Sequence, residues 1–111
     1  MDWYTIVDIE EPEVLDLWAD IAQLSGETIS LLLEVARDQV LAYAPALADP
    51  AIIPHRYRLA QMRQAVNLYR ASIADAGGQV GDDGSFAISP RPMDWHVKNI
   101  LRPAKGRPRV R

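Results

Sequence analysis

Hydrophobic and polar positions change their spacing several times along this chain of 111 residues, and each change marks an element. Ile29, Leu32, Leu33, Ala36, Val40 and Tyr43 recur at steps of three and four, while Glu34, Arg37 and Asp38 fall away from them. That spacing puts the apolar set on one stripe of a helix. Ser25, just before Gly26-Glu27, is a natural N-cap. Pro45 ends the helix, because the residue before a proline resists the helical basin. A further helix is predicted from about Pro54 to Ala76. Its residues Leu59, Met62, Val66, Tyr69 and Ile73 step by three, four, three and four, a heptad seam. Its opposite face carries Arg56, Arg63, Gln64, Asn67 and Arg70.

The flanking segments follow other patterns. Trp3 to Ile9 is aromatic and β-branched and reads as an extended lead-in. Pro12 suits the first turn of a helix, with Glu11 and Glu13 well placed against its dipole. Val14, Leu17, Trp18 and Ile21 then keep helical spacing, and Gly26 bounds this first helix. Prolines 45, 50 and 54 make a stiff connector. Gly77-Gly78 stops the third helix. The run from Gln79 to Ile88 reads as a β-hairpin around Asp83-Gly84, with Phe86 and Ile88 on one face. After the spacer Ser89-Pro90-Arg91-Pro92, Met93 to Leu101 makes a short final helix. The residues from Pro103 to Arg111 build no core and read as an extended tail. The expected fold is mainly α: a bundle of three main helices with a small β-hairpin, a short C-terminal helix and an extended basic tail. It forms a helical domain over 1–102 followed by the tail over 103–111.

Composition narrows the function classes. Apolar residues make up 49% and charged residues 24%, an ordinary globular balance. Cysteine is absent, which excludes disulfides and thiolate zinc sites. Met1-Asp2-Trp3-Tyr4 lacks the basic and apolar start of a signal peptide, and no apolar run approaches a membrane span, so a cytoplasmic origin is expected. The net charge of −3 hides a strong polarity. Residues 1–50 hold eleven carboxylates against Arg37 alone, a net of −10. Residues 95–111 hold Lys98, Arg102, Lys105, Arg107, Arg109 and Arg111 with no acid, a net of +6. Such a chain pairs its ends internally or complements other surfaces.

Candidate chemistry is sparse. His55 and His96 have no partner at ligand spacing. The serines lack a nucleophile elbow. Gly77, Gly78, Gly81 and Gly84 follow a helix and precede a strand, the reverse of a phosphate-binding loop. Asp82-Asp83-Gly84 lacks the other ligand positions of a calcium loop. No enzyme activity and no cofactor are therefore expected. The basic C-terminal segment stands apart. Its arginines could follow phosphates, but the other 94 residues carry −9 and repel a polyanion. Trp95, Val97, Ile100 and Leu101 instead give the basic run an apolar anchor of the kind protein interfaces use.

The order of three segments resembles the head-to-tail adaptor (head–tail connector) proteins of tailed bacteriophages, most of all the short helical connectors of actinobacteriophages. They are Leu32-Leu33-Glu34-Val35-Ala36-Arg37-Asp38-Gln39-Val40-Leu41-Ala42-Tyr43-Ala44-Pro45, Pro54-His55-Arg56-Tyr57-Arg58-Leu59-Ala60-Gln61, and Pro92-Met93-Asp94-Trp95-His96-Val97-Lys98-Asn99-Ile100-Leu101-Arg102-Pro103. With the glycine-rich hairpin between them they cover most of the chain from about residue 29; the first 25 residues match less well. No single motif is diagnostic. The resemblance implies a non-enzymatic structural protein of the virion, made in the host cytoplasm. It would form a homo-oligomeric ring of about twelve copies beneath the portal protein, a closed cyclic assembly. A stopper protein would bind its tail-side face, and DNA would pass through its channel without sequence-specific contact.

On this reading Trp95, Lys98, Ile100, Leu101, Arg102, Lys105, Arg107, Arg109 and Arg111 face the portal. The segment from Trp95 onward is expected to be mobile in the free chain and to order on its partner. A DNA-binding regulator using the basic tail and third helix is the main rival, and an antitoxin-like partner-folding protein a weaker one.

Overall fold

A computed structural model describes residues 2–19, 21, 24–49, 51–75 and 91–102. Among these residues the chain is helical, with α1 over Pro12–Leu17, α2 over Gly26–Tyr43, α3 over His55–Asp75 and α4 over Trp95–Leu101. The two long helices are the ones whose periodicity and end signals agree. Ser25 caps α2, its Oγ accepting from the Thr28 amide at 3.1 Å. At the other end Ala44 lies in the extended region at φ −72° and ψ 156°, as a residue before proline should. The Tyr57 hydroxyl donates to the Pro45 carbonyl at 2.6 Å, which ties the connector back onto the start of α3.

The α2 stripe packs as its spacing predicts over most of its length: Ile29, Leu32, Leu33, Ala36 and Val40 are buried, while Tyr43 at its end is only half-buried. The α3 seam is broader than a heptad line. Met62 and Val66 are buried, but Leu59, Tyr69 and Ile73 are only half-buried. The best-covered positions are Tyr57, Ala60, Gln61, Met62, Gln64, Ala65, Leu68 and Ser72. Gln64, expected on the polar face, is fully buried, because α3 is covered by α1 and α4 as well as by α2. Its amide donates to Gln39 Oε1 at 2.7 Å and to the Arg91 carbonyl at 3.1 Å.

Two expectations near the N-terminus need correction. The lead-in over 3–9 is extended only at its start; Ile6–Asp8 form a 3-10 turn, closed by the Thr5 amide donating to the Asp8 carboxylate at 2.8 Å. The first helix ends at Leu17 and does not run on to Gly26. Trp18 leaves the helical basin at φ −145° and ψ 80°. Beyond it the amides of Ile21 and Leu24 each reach back three residues, to Trp18 and Ile21. Trp18 and Ile21 are still buried, so these apolar positions were legible although both lie beyond the end of α1.

The core has two parts. The first gathers Tyr4, Val14, Trp18, Ile21, Leu24, the first half of the α2 stripe and the middle of α3. The second gathers Val40, Ala44, Ile53, Tyr57 and Ala60 with Met93, Val97 and Leu101. The hairpin expected over 79–88 and the tail over 103–111 lie outside the described residues, and among the described residues there is no strand. No helix among them is long and apolar enough to cross a membrane.

Candidate functional site

The C-terminal segment becomes a defined surface through the way α4 forms. Seven residues are too few to hold a helix in water by themselves, so α4 depends on its cap and its packing. The Asp94 carboxylate accepts from the Val97 amide at 2.9 Å and from the Asn67 side chain at 3.1 Å, so the same residue starts the helix and fastens it to α3. The preceding strip is held by the Arg91 carbonyl, which accepts from the amides of Gln39 and Gln64.

This docking divides the expected partner-facing residues. Leu101 is 1% exposed in the second core cluster, beside Val97 and Met93. Ile100 is half-buried against the same cluster. Both therefore anchor α4 to its own body. The expectation that mobility begins at Trp95 is overturned, because docking these apolar residues on α2 and α3 offsets the cost of ordering seven residues.

Trp95 is the opposite case. It is 70% exposed and touches the ring of His96 edge-on at 5.2 Å between centroids. Arg102 Nε donates to the Tyr43 carbonyl at 2.8 Å, with its guanidinium over the Tyr43 ring at 5.3 Å. Lys98 stands over the same ring at 5.6 Å. Tyr43 thus gathers two cations where the helix ends, a cation–π arrangement that fixes the base of the segment. Lys105, Arg107, Arg109 and Arg111 lie outside the described residues.

Sequence spacing alone did not bring out the groove between α3 and α4. A depression of about 260 Å³ is lined by Leu17, Arg63, Val66, Asn67, Arg70, Asp94, His96 and Val97. Arg63 and Arg70 come from α3, and His96 joins them only because α4 folds across it. The single available signal was the seven-residue spacing of the two arginines. The groove can receive an apolar side chain flanked by carboxylates. Glu27, Glu34 and Asp38 are exposed along the outer face of α2. His55 Nε2 stands 3.5 Å from a Glu13 carboxylate oxygen, an exposed pairing that offers little constraint.

Among the described residues no group of three or more His, Asp or Glu side chains is placed to hold a metal ion. Comparison with protein-family models, with curated proteins and with solved structures found no match for this chain.

Proposed function

We propose that this chain is a non-enzymatic structural protein of a phage virion, a head-to-tail adaptor. It assembles as a ring of about twelve copies beneath the portal and joins it to the tail-side stopper, around the channel through which DNA leaves. The observation that carries the reading is the two-sided character of α4. Val97 and Leu101 fasten it to the body, while Trp95 stands 70% exposed with the His96 ring edge-on to it. Tryptophan and arginine are among the types most enriched at the energetic centres of protein interfaces. Arg102 then leads into four further bases within nine residues. The acidic first half supports the channel role, since like charge lets a polyanion pass without being gripped.

The test is co-sedimentation with purified portal of the parent, of a Trp95→Ala variant and of a chain lacking residues 103–111. We expect the parent to attach and both variants to attach more weakly, with circular dichroism unchanged. Equal attachment by all three, or none by the parent, removes the adaptor reading. Retention of duplex DNA by the parent at physiological salt, lost in the truncated chain, replaces it with the regulator.

A further inference from the structure

The outward faces of α2 and α3 carry opposite charge at the same spacing. On α2 the exposed stripe is Glu27, Leu31, Glu34, Asp38 and Leu41, with steps of four, three, four and three. At 100° per residue this stripe lies on the far side of the helix from Ile29, Leu32, Leu33, Ala36 and Val40, which it buries. Leu31 and Leu41 are 50% and 48% exposed, so the acidic stripe also presents apolar surface. On α3, burial runs most of the way round the helix. Between residues 56 and 73 the exposed side chains are Arg56, Arg63 and Arg70. Seven residues rise about 10 Å along a helix, so the arginines repeat at the interval that separates Glu27, Glu34 and Leu41.

Within one copy these two faces stay apart. The α2 stripe points away from the core that α2 shares with α3. Among the described residues, Arg56, Arg63, Arg70, Glu27 and Glu34 form no ion pair. We propose that the arginine face of α3 docks on the acidic, leucine-bearing face of α2 in a second copy of this chain. The two faces differ, so the contact is head-to-tail and repeats from copy to copy, closing into a ring where the rotation allows. A second copy suits the acidic face better than the basic tail does. A rigid helix already holds its charges at the matching interval, whereas a tail must be ordered residue by residue. Leu31 and Leu41 supply apolar burial, which isolated surface ion pairs lack.

This inference deepens the ring reading and rests on it for the expectation that copies meet. Its test is sedimentation velocity of the full chain at low and high salt. The samples are the parent, an R63E/R70E variant, an E27K/E34K variant and an equimolar mixture of the two variants. We expect the parent to associate and to dissociate as salt rises. Each variant alone should associate at least tenfold more weakly, since its two faces then carry like charge. The mixture should recover association, because each reversed face meets its complement. A variant that associates as the parent does, a mixture no better than its components, or a parent that stays monomeric at every concentration overturns the pairing. Attachment to portal is read separately: portal binding without these effects keeps the adaptor and discards the faces, and these effects without portal binding do the reverse.

Discussion

The side chain of Gln61 pairs with the main chain of Tyr4 in both directions. Its Oε1 accepts from the Tyr4 amide at 2.8 Å and its Nε2 donates to the Tyr4 carbonyl at 3.0 Å. The same Nε2 also reaches the Leu33 carbonyl at 3.1 Å. A residue of α3 therefore completes the hydrogen bonding of the N-terminal segment 57 positions earlier, in a site closed to water.

Gln61→Leu should consequently destabilise the protein although it adds apolar volume to the core. It leaves a buried amide and carbonyl at Tyr4 unmatched, each costing about 1–3 kcal/mol. We expect a loss of about 2–4 kcal/mol in urea unfolding. A variant as stable as the parent would show that the pairing contributes nothing net.

Alkaline titration should single out Tyr4. Burial pushes its phenol up to about 12 from the usual 10.0. Glu13 carboxylate adds to the shift, although no well-formed hydrogen bond joins it to the Tyr4 hydroxyl, and the Arg58 guanidinium, 4.1 Å from the ring centroid, opposes it. The folded state resists ionisation more than the unfolded state does. The stability this represents is complete below pH 10 and is lost as pH rises from there through about 12. Phenolate absorbance should show a late step near pH 12. Tyr4→Phe should remove that late step and flatten the fall in stability. A late step that persists in Tyr4→Phe assigns it elsewhere.

Two apolar residues of α4 should respond in opposite ways. Leu101→Ala removes a fully buried side chain and should cost about 2–5 kcal/mol. Trp95→Ala removes an exposed one and should shift stability by no more than about 0.5 kcal/mol. Thermal unfolding distinguishes them. A larger loss at Trp95 than at Leu101 would reverse the orientation of the helix.

Leu33 and Tyr69 should separate in the same way. Both belong to the stripes the sequence pattern predicts for the centre of the core, yet Leu33 is 2% exposed while Tyr69 is half-buried with its ring 5.5 Å from Trp18. Leu33→Ala should cost about 2–5 kcal/mol, and Tyr69→Phe far less. Chemical denaturation of the two variants is sufficient to check the order.

The sequence was legible where local signals agreed with one another. In α2 the apolar stripe, the Ser25 cap and the Pro45 stop all point to the same element, and all three are present. In the first helix, spacing misled because Trp18 and Ile21 bury equally well beyond the end of α1, on a three-residue turn. Gln61 and Gln64 could not be recognised as core residues, because glutamine is ordinarily a surface type and only the partners at Tyr4, Leu33, Gln39 and Arg91 make its burial acceptable. At the candidate site the composition of the segment marked it as a candidate interface, but composition carries no direction. Which apolar residues of α4 face inward depends on its docking, where Val97 and Leu101 are buried and Asp94 bonds to Asn67 of α3.

The division of the core into two clusters has a consequence for the order of folding. Contacts between α2 and α3 join neighbours in sequence across a short connector, whereas α4 docks on this pair only after the chain has closed a further loop of about twenty residues beyond α3. Loop closure of that length slows the step that depends on it, and a helix of seven residues has no stability until it is docked. The helical pair should therefore form early and α4 join last. By the same reasoning the amides of α4 should exchange with solvent through an opening smaller than global unfolding, while those of α2 and α3 stay protected.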